Sequence, residues 1–167
     1  MEYNEQKLIE YFYALKAMDS YHKELFGKDK DFEVPELFSQ SMVKYLLGLN
    51  DSPKREFDAE KAGEYFEIKA TSSGSGTTTM NFDSKPDILV WIKFDFENSN
   101  FEIKRFDNFN SINRMEEFYT EEALDRRHEG AKNLFESKSR ETVILKNVRW
   151  HNSVTYKIHS VIEADKE

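Results

Sequence analysis

Cysteine is absent from the 167 residues, which excludes disulfide scaffolds, Cys-based zinc sites and thiol nucleophiles. With only six Gly and three Pro, neither a collagen-like nor a low-complexity architecture fits. Apolar runs such as Ile88-Leu89-Val90-Trp91-Ile92 extend for only a few residues, far short of the ~20 needed to cross a membrane. The opening text Met1-Glu2-Tyr3-Asn4-Glu5 has neither a basic nor an apolar leader region, so the chain is expected in the cytoplasm. Fourteen Phe, eight Tyr and two Trp are too many aromatics for a disordered acidic chain. The length suits one domain spanning residues 1–167, since about 100–200 residues make a domain.

The net charge of −8 argues at first against a nucleic-acid partner, but the charge is unevenly spread. Between Arg126 and His159 eight Lys/Arg face three Glu, a local balance of +5 that leaves −13 to the rest. A polyanion responds to the local field, so a basic face on an acidic protein remains a plausible footprint. The same charges also suit a solvated surface.

Residues 5–26 read as an amphipathic helix, with Leu8, Ile9, Phe12, Leu15, Met18 and Leu25 at three- and four-residue steps, Asn4 as N-cap and Gly27 as stop. A second helix opens at Pro35 and runs to about Leu49, ended by Asn50-Asp51-Ser52-Pro53. The period then changes to two. Arg55–Asp58 and Tyr65–Thr71 read as short strands joined by a turn around Glu60–Gly63. Ile88–Phe96 suits a strand covered on both sides, with Phe101–Phe106 returning after a turn at 97–100. A helix over about Thr120–Ser137 and strands Thr142–Leu145 and Val154–His159 complete an α/β (α+β) domain with a mixed sheet.

The chemistry gathers at Asp58 and Glu67-Ile68-Lys69. Alternate strand residues share a face, so Glu67 and Lys69 lie together while Phe66, Ile68 and Ala70 face the core. A turn centred between Ala62 and Gly63 sets Asp58 opposite Glu67, where Cβ atoms approach to about 4.5–5.5 Å. Two such carboxylates repel and call for a cation between them. A hard divalent ion, most simply Mg²⁺, meets that need with oxygen ligands from protein, phosphate and water. A lysine at the rim can position the attacking water.

This arrangement resembles the PD-(D/E)xK nuclease superfamily: an Asp on one strand and an acid-x-Lys on its neighbour, within a sheet flanked by helices. Phe57 stands where the eponymous proline would be. Pro35-Glu36 is similar to the start of that family's first helix, whose Glu often supports the metal site. The text Glu67–Ser73, a polar loop and Asp87–Ile92 together resemble type II restriction endonucleases over residues 34–94, the expected catalytic core. The loop Ser75-Gly76-Thr77-Thr78-Thr79 is most similar to the small group that cuts within GCNGC.

The resemblance implies a deoxyribonuclease acting on double-stranded DNA. Mg²⁺ would be held by Asp58, Glu67 and the Ile68 carbonyl, with Glu36 as a further candidate, and Lys69 would orient the water. It also implies 5′-phosphate and 3′-hydroxyl products, and a homodimer to match a symmetric site, with the N-terminal helix (1–30) a candidate interface. A cognate DNA methyltransferase acting on the same site is a further implied partner.

Pro86-Asp87 with Glu102-Ile103-Lys104 forms a rival set. With the hairpin turn at Asn98-Ser99, Glu102 faces Asp95, and Asp87 lies roughly 26 Å further along the strand, too far to share an ion. For DNA contact the candidates are Ser72, Ser73, Ser75, Thr77 and Thr78 in a Gly/Ser/Thr tract, which reads equally as a flexible connector. Arg126, Arg127, Lys132, Arg140 and Arg149 are the basic candidates, within an expected DNA-contacting region at 120–160. Trp150 is expected to cap the core. No His set, Ser-His-Asp arrangement, Walker loop or dinucleotide fingerprint is present. A repair nuclease of the same superfamily, a non-catalytic DNA-binding module and an acidic protein-interaction domain are the alternatives. Discrete fragments from plain duplex, metal-dependent cutting and DNA binding at low salt would distinguish them.

Overall fold

In the computed structural model, residues 3–30, 32–72, 76–125 and 140–161 are described. Helix α1 (Glu5–Phe26) starts where Asn4 Oδ1 accepts the Lys7 N–H at 3.0 Å, and it stops at Gly27, whose φ of 105° only glycine adopts readily. Helix α2 (Glu36–Leu47) begins after Pro35 and ends at Gly48, in the left-handed region. Gly48 ends the helix earlier than Asn50-Pro53 would have. The released chain forms a short edge strand, β1 (Asn50–Asp51), which pairs with β2 (Ala59–Lys61).

The strand expected over Arg55–Asp58 is instead a turn. Ser52 Oγ accepts the Lys54 N–H and donates to the Lys54 carbonyl, and Phe57 N–H donates to the same carbonyl. Phe57 stacks on Tyr65 at 4.9 Å, with Lys54 Nζ 4.1 Å from the Tyr65 ring centroid. The ladder starts at Ala59, and β2 turns through Ala62-Gly63, both at positive φ, into β3 (Glu64–Thr71).

The remaining strands are β4 (Thr77–Asn81), β5 (Ile88–Asp95), β6 (Asn100–Asp107), β7 (Arg140–Ile144) and β8 (Asn152–Lys157). Six form one mixed sheet in the order β1-β2-β3-β5-β6-β8, with β3 and β5 parallel. β4 and β7 form a separate antiparallel ribbon. Short helices α3 (Met115–Phe118) and α4 (Glu121–Asp125) follow a 3₁₀ turn at Phe109–Ser111; the rest of the expected helix to Ser137 lies outside the described residues.

Strand β5 explains the layering. Ile88, Val90, Ile92 and Phe94 join Phe12, Met42 and Val43 in a core beneath α1 and α2. Leu89 and Trp91 face the other way into a second core with Phe106, Phe118, Val143 and Leu145. A strand buried on both faces cannot alternate apolar with polar, hence its continuous hydrophobic text. Among the described residues no helix is long and apolar enough to cross a membrane.

Candidate active site

The hairpin extends one residue beyond β2: Asp58 N–H donates to the Phe66 carbonyl at 2.9 Å. With Ala59 opposite Phe66, Asp58 comes into register with Glu67, as the Ala62-Gly63 turn requires. The Ile68 N–H has no strand partner at that point, and it donates instead to Asp58 Oδ2 at 2.7 Å. In an extended strand the C=O of a residue points to the same side as its N–H, so the Ile68 carbonyl shares this edge.

On the neighbouring positions of β3, Lys69 Nζ and Glu67 Oε1 are 2.7 Å apart, with each side chain about one-fifth exposed. Gln40 of α2 is a member of the cluster that the sequence reading missed. Its Nε2 donates to Asp58 Oδ1 and to Glu36 Oε1, each at 2.9 Å. Glu36 therefore stands one amide away from Asp58. Spacing four residues along α2 places Glu36 and Gln40 on one face, which is the only signal the sequence carried.

The electrostatics follow from the arrangement. Burial pushes the Asp58 carboxyl up to about 6, and the negative charges of Glu67 and, less strongly, Glu36 add to the rise. The Ile68 N–H and the Lys69 ammonium oppose it. Three acids against one lysine leave a local excess of negative charge, which favours a divalent cation with oxygen ligands. Among the described residues no three His, Cys, Asp or Glu side chains converge into a full metal cage. Two carboxylates and a main-chain carbonyl on one edge would fit a hard divalent cation that takes its remaining oxygen ligands from phosphate and water.

The rival set is kept apart. Glu102 pairs with Lys93 in the ladder, not Asp95, because the β5–β6 loop holds four residues and Ser99 takes a positive φ. The shift leaves Asp87 still roughly 20 Å along the strand, too far for a common ion. Asp87 is occupied by Tyr65 N–H (2.7 Å) and Asn110 Nδ2 (2.5 Å), and Glu102 by Ser153 Oγ and Lys104.

The Gly/Ser/Thr tract is a connector only in part, since Thr77–Asn81 form β4. Ser72 Oγ donates to the Phe32 carbonyl, Thr77 is exposed and Thr78 half-buried. Arg149 Nε donates to the Tyr119 carbonyl, and Trp150 caps the second core with its Nε1 on the Leu145 carbonyl at 2.8 Å. Ser73, Ser75, Arg126, Arg127 and Lys132 lie outside the described residues, and Arg140 is placed only through its backbone.

A six-stranded mixed sheet with helices on one face and a smaller sheet on the other is a restriction-endonuclease-like architecture. The family model described as Bsp6I restriction endonuclease matches residues 2–140, and the chain belongs to that family. It is a type II restriction endonuclease, a site-specific deoxyribonuclease whose substrate is double-stranded DNA. The matched span includes Glu36, Gln40, Asp58, Glu67, Lys69 and the whole of β4. Searches of the curated proteins and of the solved structures find no match.

Proposed function

We propose that the enzyme is a Mg²⁺-dependent member of the PD-(D/E)xK superfamily with Asp58, Glu67 and Lys69 at its catalytic centre. The observation that carries this reading is the position of Asp58, one residue beyond the β2–β3 ladder and in register with Glu67, where burial first and the Glu67 charge second raise its carboxyl to about 6. Asp58, Glu67 and the Ile68 carbonyl would hold the ion, while Glu36 orients Asp58 through the shared Gln40 amide. When bound, Mg²⁺ supplies Lewis-acid polarisation of the scissile phosphate. The Lys69 ammonium, held by Glu67, donates a hydrogen bond to the attacking water and fixes its line of approach. The water oxygen bonds to phosphorus as the bond to O3′ breaks. The water yields a proton to solvent and O3′ takes one up, leaving 5′-phosphate and 3′-hydroxyl ends.

The resemblance of the loop text Ser75–Thr79 supports a target of the GCNGC group. Arg126, Arg127, Lys132, Arg140 and Arg149 of the 120–160 region then supply phosphate or base contacts to a duplex, and Ser72, Ser73, Ser75 and Thr77 further ones, while the half-buried Thr78 is left out of the set. The chain works as one domain in the cytoplasm, with a methyltransferase of matching specificity protecting host DNA. A near-palindromic target calls for a C2 homodimer. The outer face of α1 suits that role: Tyr11, Met18 and Leu25 recur every seven residues with Ala14 and Tyr21 between them, all exposed.

The test is digestion of plasmid or phage DNA in Mg²⁺, Ca²⁺ or EDTA by the wild type and by Lys69→Ala. Discrete fragments are expected from the wild type in Mg²⁺ alone. Unchanged cleavage by Lys69→Ala would sink the assignment of the site.

A further inference from the structure

The β4–β7 ribbon is rooted beside the candidate site yet belongs to neither the sheet nor the helices. Its register pairs Thr77 with Ile144, Thr79 with Thr142 and Asn81 with Arg140. Strand side chains alternate, and the two faces differ sharply in chemistry. Met80 and Val143 are sunk in the second core, with Thr78 on their side. Thr77, Thr79, Asn81, Thr142 and Ile144 are exposed on the other. Asn81 Oδ1 accepts the Asp83 N–H at 3.0 Å, which leaves its amide nitrogen as the donating end.

The ribbon is also firmly seated. Gly76 lies against Trp91 and Thr71, and its carbonyl accepts the Leu145 N–H at 2.7 Å, locking the start of β4 to the end of β7. Ala70 and Thr71 of β3 line a cleft of about 400 Å³ with Thr77 and Thr78. The ribbon base thus adjoins the strand that bears Glu67 and Lys69. Two strands about 4.8 Å apart, with side chains, match the ~12 Å width of the B-DNA major groove, which admits such a ribbon.

We propose that the outward face of the β4–β7 ribbon enters the major groove and reads base edges, with the Thr79 and Thr142 hydroxyls and the Asn81 amide as its hydrogen-bonding groups. Ile144 supplies the apolar contact to pyrimidine C5 edges, and Thr78 takes no part because it faces inward. The inference deepens the proposed function, but only its cleavage arm depends on the Asp58 site.

The experiment selects bound duplexes from a randomised pool in Ca²⁺, using the wild type and the isosteric double variant Thr79→Val/Thr142→Val. The wild type is expected to enrich one sequence. Discrimination by the variant against single-base changes within it should relax by roughly 5- to 150-fold, the worth of one good set of base-edge contacts. Affinity for random duplex and its salt slope should stay unchanged. Equal enrichment by both proteins, or no enriched sequence with the wild type, overturns the ribbon reading. So does an equal loss of affinity for every duplex with a reduced salt slope, which would make the ribbon a phosphate clamp. A wild type that enriches one sequence but does not cut it in Mg²⁺ leaves the ribbon standing and removes the Asp58 site.

Discussion

Asp58 is held where a negative charge is costly, and that cost has a measurable sign. Its folded carboxyl lies at about 6 against an ordinary value of 3.8, so between those values the folded chain binds a proton that the unfolded chain has lost. Stability without metal must then fall as pH rises through about 4 to 6, and the full penalty persists above. Asp58→Asn removes the charge; its side-chain oxygen can still accept the Ile68 N–H, and Gln40 then turns its amide oxygen towards the new amide nitrogen. In EDTA this variant is expected to gain about 2 kcal/mol at pH 8 and nothing at pH 4, a difference that paired thermal melts would resolve. Added Mg²⁺ should stabilise the wild type and not the variant, while cleavage by the variant is lost. A variant no more stable than the wild type at pH 8 contradicts this charge balance.

At the scale of elements, legibility depended on how local each signal was. The ends of α1 and the Asp58–Glu67 register could be read because Asn4, Gly27 and the Ala62-Gly63 turn act within a few residues of themselves. β4 could not. Its Gly/Ser/Thr text reads as a linker, and the strand that pairs with it lies about sixty residues onward. The β5–β6 register was missed by two positions because Ser99 adopts a positive φ that Asn98-Ser99 does not advertise. Gln40 was invisible because its partner lies across the helix–sheet packing.

Gly76 carries the sharpest prediction about an element. A Cβ there would come 2.8 Å from Trp91 Cζ2 and 3.2 Å from Thr71 Cγ2, at a φ of +60°. Trp91 is 1% exposed and has nowhere to move. Gly76→Ala should therefore cost about 2–4 kcal/mol, combining backbone strain with overpacking. Thermal melting together with tryptophan fluorescence, from Trp91 and its neighbour Trp150 in the same core, would report both the loss and its location. A melting temperature within a degree of the wild type would mean that the ribbon root is softer than its packing implies.

For the whole molecule the decisive matter is symmetry. One chain carries one candidate site, whereas cutting both strands of a duplex at one target requires two. Tyr21 and Leu25 are 70% and 75% exposed on α1, an apolar load that a lone subunit would leave in water. If α1 pairs with its copy about a two-fold axis, charges on that stripe should separate the subunits without disturbing either fold, since Met18 and Leu25 lie outside both hydrophobic cores. Met18→Glu/Leu25→Glu is therefore expected to sediment as a monomer with an unchanged circular dichroism spectrum. Its products should change as well. A monomer that finds its target cuts one strand and leaves, so supercoiled plasmid should accumulate as nicked circle where the wild type yields linear DNA. A double variant that remains dimeric and still linearises plasmid would show that the copies meet elsewhere, and would leave the exposed face of α1 without an assigned role.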